Sequence, residues 1–386
     1  MEKQRSAHVI EVVRFYLSVV RWREPMFRYD TIARNVLSST LGIQPNDDVI
    51  VETWGHGLPI ADAFVYRLRE LGARPMLLFE HEEVFWKSVA SIRGDKLGRV
   101  GEHEWAAIEK AKGYVFIPGP ADIQKVGKNR SKFGSATSYN EEWYQRAKRY
   151  RLKAARIGLG YATRNRARAY KFSLPAWQRM LLAASTIDFA TLKDKVTKLA
   201  PLLHGGQVKI TAPNGTNLTV RLVGREPYVE DCMVDEDDLV HGRNVANIPG
   251  GNVLVCPDES YAEGTVVFDR PTPYIGRWIG GVRFNFRNGE LAEYQARLNA
   301  GVLKANYEKA SGAKNRIAAI GVGVNPMARM GFLQDGIVAG AVTVAVGGND
   351  DLGGANKTDF YFPGILTRAT LTVDDNPVVK NGKLVF

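Results

Sequence analysis

The sequence predicts two domains: an α/β domain with a mainly parallel sheet over residues 1–185, and an α+β domain rich in antiparallel strands over 186–386. Three observations lead there. The chain has 386 residues, which suits two domains at roughly 100–200 residues each. Strand-like and helix-like stretches alternate in the first half, the pattern of a parallel sheet faced by helices. Three Asn-Gly pairs, at 214–215, 288–289 and 381–382, sit between alternating runs in the second half, the strongest short hairpin signal.

Residues 5–45 carry apolar positions at helical spacing, with Val9, Val12, Val13, Tyr16, Leu17 and Val20 on one face. "DDVIVETW" (47–54) then reads as a strand, "HGLPIADAFVYRLRELGA" (56–73) as a helix ending at Gly72, and "RPMLLFEH" (74–81) as a second, buried strand. "WAAIEKAKG" (105–113) and "YVFIPG" (114–119) repeat the helix–strand order, and "RIGLGYAT" (156–163) is a further strand candidate. Helical text from 175 to 203 leads into "QVKITAPNGTNLTVRLVG", "VRFNFRNGELAEYQA" and "VVKNGKLVF", three expected hairpins. One good helix is expected among them, "AEYQARLNAGVLKANYEKA" (292–310).

The composition is that of a globular protein, 45% hydrophobic and 24% charged. The apolar stretch "VIEVVRFYLSVV" (9–20) is broken by Glu11 and Arg14 and is shorter than a membrane span of about 20 residues. No signal-peptide order opens the chain, and Cys232 and Cys256 are too few for a disulfide framework. A cytoplasmic location and no membrane partner are the expectation.

The net charge of +11 is local. Residues 125–171 hold fourteen Lys and Arg against Glu141 and Glu142. Lys125, Lys128, Arg130, Lys132, Arg146, Lys148, Arg149, Arg151, Arg164, Arg166 and Arg168 are candidates to bind an acidic partner. Phe133, Tyr139, Trp143, Tyr144, Tyr150, Tyr161 and Tyr170 are interleaved with them. They suit either stacking on bases or a solvated helix face over core aromatics.

Motifs exclude several classes. No glycine fingerprint of a dinucleotide site, no Walker motif and no zinc spacing of Cys and His occurs. Ser260 lacks a nucleophile-elbow context. Cys256 stands near His241 in sequence with Asp258 beside it, and a buried small cysteine is the simpler account. His56 and His81 stand at strand ends, where open α/β sheets place ligands, or serve structural roles.

Five stretches of the second half, in order, resemble the aminopeptidase T-like metallopeptidases (peptidase family M29). They are "ITAPNGTNLTVRLVGR" (210–225), "NIPGGNVLVCPDESYAEGTVVFD" (247–269), "GAKNRIAAIGVGVNPMAR" (312–329), "DGIVAGAVTVAVGGND" (335–350) and "GGANKTDFYFPGILTRATLTVD" (353–374). The resemblance implies the two-domain fold, a homodimer and a paired divalent-metal site built from two Glu, two His and one Asp. Matched residue by residue, those ligands fall on Asn252, Ala319, Thr343, Tyr361 and Pro363. None of the five is a carboxylate or an imidazole. A carboxylate cluster rebuilt from Asp258, Glu259, Asp350, Asp351 or Asp359 would need register shifts in all four ligand-bearing stretches.

The expectation is a catalytically degenerate aminopeptidase-like protein with no metal and no cofactor, repurposed to bind a protein or peptide partner, including an active relative in a mixed dimer. The alternatives are an active hydrolase of aminopeptidase type with altered chemistry, and a nucleic-acid- or ribosome-associated protein acting through residues 125–171. No catalytic residue is assigned.

Overall fold

The computed structural model describes residues 28–274 and 276–386. The helical spacing expected at Val9–Val20 lies outside the described residues. The remainder forms two compact units, interleaved along the chain. The first holds residues up to Ala121, Ser131–Tyr161 and Val234–Val245; the second holds Asp122–Arg130, Ala162–Met233 and Ala246–Phe386.

The first unit is built on parallel strands β1 (Asp48–Trp54), β2 (Arg74–Glu80), β3 (Gly113–Phe116) and β4 (Lys153–Ile157), in a sheet ordered β2-β1-β3-β4. Val49, Ile50 and Val51 are buried on both faces of β1, as a central parallel strand requires. The helices Glu102–Lys110 and Asn140–Tyr150 cover one face, bringing Trp105, Ile108 and Ala147 against Ile50, Tyr114 and Ala154. The expected second buried strand is an edge strand instead. Among the described residues β2 pairs only with β1, and Met76, Leu77 and Phe79 are 37%, 43% and 48% exposed. Composition alone does not distinguish an apolar edge from an apolar centre.

The second unit is antiparallel. Its strands are β5 (Gly205–Ala212), β6 (Thr216–Val223), β7 (Tyr228–Glu230), β8 (Val245–Ile248, of which Val245 belongs to the first unit), β9 (Asn252–Val255), β10 (Ala262–Val267), β11 (Thr272–Tyr274), β12 (Arg277–Ile279), β13 (Arg283–Arg287), β14 (Glu290–Gln295), β15 (Ile317–Gly323), β16 (Val342–Gly347), β17 (Tyr361–Leu366), β18 (Thr370–Val373), β19 (Asn376–Lys380) and β20 (Lys383–Leu384). An eight-stranded sheet runs β14-β13-β10-β6-β5-β18-β19-β20, and a five-stranded sheet runs β17-β16-β15-β9-β7.

All three Asn-Gly pairs turn hairpins, but not in one way. Asn288-Gly289 and Asn381-Gly382 both have positive φ, the two-residue type I′ signature. At Asn214-Gly215 only the glycine is left-handed, and Ala212 pairs with Thr216 across a three-residue loop. The expected helix 292–310 begins late, at Ala300. Leu291–Gln295 belong to β14, because pairing with β13 buries Leu291 while Tyr294 lies against Tyr307.

Phe284 meets Phe268 and Phe362 edge to face between the two sheets, with centroids 5.5 Å and 5.4 Å apart. Gly364 makes room for them, since a Cβ there would lie 2.1 Å from the Phe268 ring.

Candidate functional site

The five positions matched to metal ligands come together on the five-stranded sheet. Asn252 pairs with Gly323, Thr343 with Gly321, and Ala345 with both Ala319 and Pro363; Tyr361 pairs with Gly347. Side chains alternate along a strand and paired residues share a side. Asn252, Ala319, Thr343, Tyr361 and Pro363 therefore occupy one face.

The centre of that face is closed. Ala319 and Ala345 are fully buried and Thr343 is 5% exposed. The turn Asp335–Ile337 lies on it: a Cβ on Gly336 would sit 3.2 Å from Thr343 Oγ1, and one on Gly323 would meet the Val338 carbonyl at 2.2 Å. Leu352 packs over Ala318, Ala319 and Ala345. Only the rim opens, with Tyr361 41% exposed and Asn252 and Pro363 partly so.

A buried polar network finishes one end of this sheet. Arg225 makes a two-pronged pair with Glu259 at 2.6 and 2.8 Å. Asn349 donates to Glu259 Oε1 at 3.1 Å and to the Ala318 carbonyl at 3.0 Å, and accepts from the Asn356 N–H. Asn356 donates in turn to the carbonyls of Ile317 and Gly347. Burial works to raise the Glu259 carboxyl, but Arg225, the Ala355 N–H and Asn349 outweigh it and hold it down at about 2. The Ser260 hydroxyl and Arg221 hold Asp258 at about 2 as well. Two carboxylates that sequence reasoning placed near the site are thus committed to arginines. Sequence reasoning missed Asn349 and Asn356; the one available signal was their shared glycine-rich context, "GGNDDLGGAN".

The donor chemistry does not fit a pair of divalent ions. Such ions take carboxylate, imidazole or thiolate donors that also compensate charge. The face offers one amide, two hydroxyls and two side chains with no donor atom, and Thr343 has the Gly336 backbone pressed against it. Among the described residues, no group of three or more His, Cys, Asp or Glu is placed to hold a metal ion.

Other candidates resolve individually. Burial pushes the Cys256 thiol up to about 12, and its sulfur faces the Leu352 and Asn349 carbonyls. His241 holds the Asp237 carbonyl. His56 Nε2 lies 3.2 Å from the Pro118 carbonyl and 3.0 Å from that of Gly160. His81 caps the helix Glu82–Ser91 through the Val84 N–H.

The basic residues of 125–171 divide between the two units. In the first, Arg146 pairs with Glu142 and Glu109 and lies over Trp105, Arg151 pairs with Glu236, and Lys132 donates to the Ala90 carbonyl; Lys148 and Arg149 are exposed on the helix Asn140–Tyr150. In the second, Arg130 reaches Tyr274 and Asn306, Arg166 is buried, and Lys125, Lys128, Arg164 and Arg168 are exposed. Of the interleaved aromatics, Phe133, Tyr139, Trp143, Tyr144 and Tyr161 line a cavity in the first unit. No described helix is long and apolar enough to cross a membrane.

A family model described as thermophilic metalloprotease (M29) matches residues 27–316. Of the five positions, only Asn252 lies inside that range. Among solved structures, wild-type AmpT from Thermus thermophilus matches with a TM-score of 0.71 at 17% identity, over 93% of this chain and 99% of that one. A 2,5-dihydroxypyridine dioxygenase from Pseudomonas putida KT2440 matches with a TM-score of 0.61 at 15% identity, over 94% and 97%. At such identities these likenesses speak to the fold. No curated protein sequence matches the chain.

Proposed function

The chain belongs to the M29 metalloprotease family, and from that premise we propose that it is a catalytically degenerate member that binds a protein or peptide partner instead of hydrolysing one. One observation carries this. The face where the family resemblance places five metal ligands bears Asn252, Ala319, Thr343, Tyr361 and Pro363, with its centre covered by the turn Asp335–Ile337 and Leu352. Two dications there would meet no compensating charge, and the desolvation penalty is several kcal/mol per ion. The open rim, with Tyr361 at its edge, is the part of the face a partner can touch.

Elemental analysis of protein purified without chelator tests the reading, together with a panel of aminoacyl anilides assayed with and without added cobalt or zinc. The expected result is far less than one equivalent of divalent metal and no metal-dependent release. Two tightly held equivalents, or chelator-sensitive removal of N-terminal residues, would overturn it.

A further inference from the structure

The first unit holds a cavity of about 280 Å³ that the family resemblance does not account for. It opens on one face of the parallel sheet, over the C-terminal halves of its central strands. Glu52 of β1 pairs with Phe116 of β3, and Phe116 pairs with Arg156 of β4. Carboxyl, ring and guanidinium therefore stand in one row on one face, with Glu52 and Arg156 about 10 Å apart at the usual strand spacing. Aromatic side chains form much of the remaining wall, beside Pro118, Thr137, Asn140 and Val245. Trp143 meets Tyr114 and Tyr144 edge to face at 5.1 and 5.2 Å, and Trp54 and Tyr139 close the Glu52 end.

The two ends differ in character. At one, Glu52 accepts the Tyr114 hydroxyl through Oε2, while Oε1 has no partner among the described residues. Glu80 and Glu104 lie near enough to act on the same carboxyl. At the other end, Arg156 lies over Phe116 and donates to Tyr144 Oη at 3.0 Å. Flat π-faces between an acceptor and a cation select a flat ring with a donor at one end and negative charge at the other. A purely cationic guest would be repelled by Arg156, and an anion without a ring would leave the aromatic walls unfilled.

We propose that this cavity is a small-molecule site for an aromatic acid bearing an amino or ring N–H, with the ring stacked among Trp54, Phe116 and Trp143, the N–H donated to Glu52 and the acidic group held by Arg156. A second cavity, of about 390 Å³, shares Glu52, Trp54, Thr137 and Tyr139 with the first, so the Glu52 end has room for a substituent.

Tryptophan fluorescence of the full chain, titrated with p-aminobenzoate, indole-3-acetate and AMP, tests the proposal, because Trp54 and Trp143 line the cavity. At least one probe should give saturable quenching. Its neutral counterpart (aniline, 3-methylindole or adenosine) should bind roughly tenfold more weakly, as loss of a charge-assisted contact requires. Arg156→Met should erase that difference and Glu52→Leu should weaken both members of the pair. The comparison of acid with neutral probe uses the unaltered protein, so it stands even where a variant fails to fold. Absence of saturable binding by all three acids, equal affinity for the neutral counterparts, or binding unchanged in the folded variants would overturn the proposal.

Discussion

Glu52 and Glu259 are carboxyls driven in opposite directions by their surroundings. Burial, with Glu104 and Glu80 nearby, pushes Glu52 up to about 7 against the Tyr114 hydrogen bond. The folded state then holds a proton that the unfolded chain gives up near 4.5, so the Glu52 contribution is present at low pH and is lost as pH rises from about 4.5 to 7. Glu259 is the reverse: held at about 2, it stabilises above 4.5 and is lost as pH falls toward 2. Glu52→Gln should therefore raise stability above pH 7 by up to about 3 kcal/mol, and Arg225→Met should flatten the acid limb, both read from urea denaturation across pH. Asn349 is the uncharged counterpart. Its amide is fully buried and serves three partners at once. Asn349→Ala leaves the Ala318 carbonyl and the Asn356 N–H without their amide partner and removes one of three donors to Glu259 Oε1, and should cost about 2–4 kcal/mol in the same assay.

Elements were legible in proportion to how local their cause is. The Asn-Gly hairpins follow from residues that accept positive φ, and the alternation on either side of them sets which side chains face inward. Strand β2 and the helix at Ala300–Lys309 show where this stops. Apolar text such as "RPMLLFE" does not say whether a strand has one neighbour or two, and "AEYQ" suits a helix until β13 is there to pair with it. Sheet-to-sheet approach is equally invisible in one strand. Gly364 reads as a weak point in "YFPGIL", yet it is where the Phe268 ring passes. Gly364→Ala should cost about 1–3 kcal/mol by overpacking against the Phe268 ring, with the melting temperature as readout.

At the scale of the whole molecule, a bound ion stabilises the folded state by mass action in proportion to its occupancy. A chain without a two-metal centre should melt at the same temperature with and without chelator, and added zinc or cobalt should not raise the midpoint. A chelator-induced drop of several degrees would show the opposite. The charge of +11 is likewise a property of the whole. Its fourteen local cations read as one patch along the chain, but folding distributes them over two compact units and ties Arg146 and Arg151 to carboxylates of the first.

The amino-acid sequence determined the fold class, the hairpins, the family, and the identity of the residues at the five positions that the resemblance matches to metal ligands, because each depends on local residue chemistry or on order along the chain. Tertiary structure alone decided that those five share one sheet face with a covered centre. It also decided that Asp258 and Glu259 are held by arginines, and that Glu52, Phe116 and Arg156 form a row beneath aromatic walls. Register between strands far apart in sequence sets which side chains meet, and no single segment of the chain contains that information.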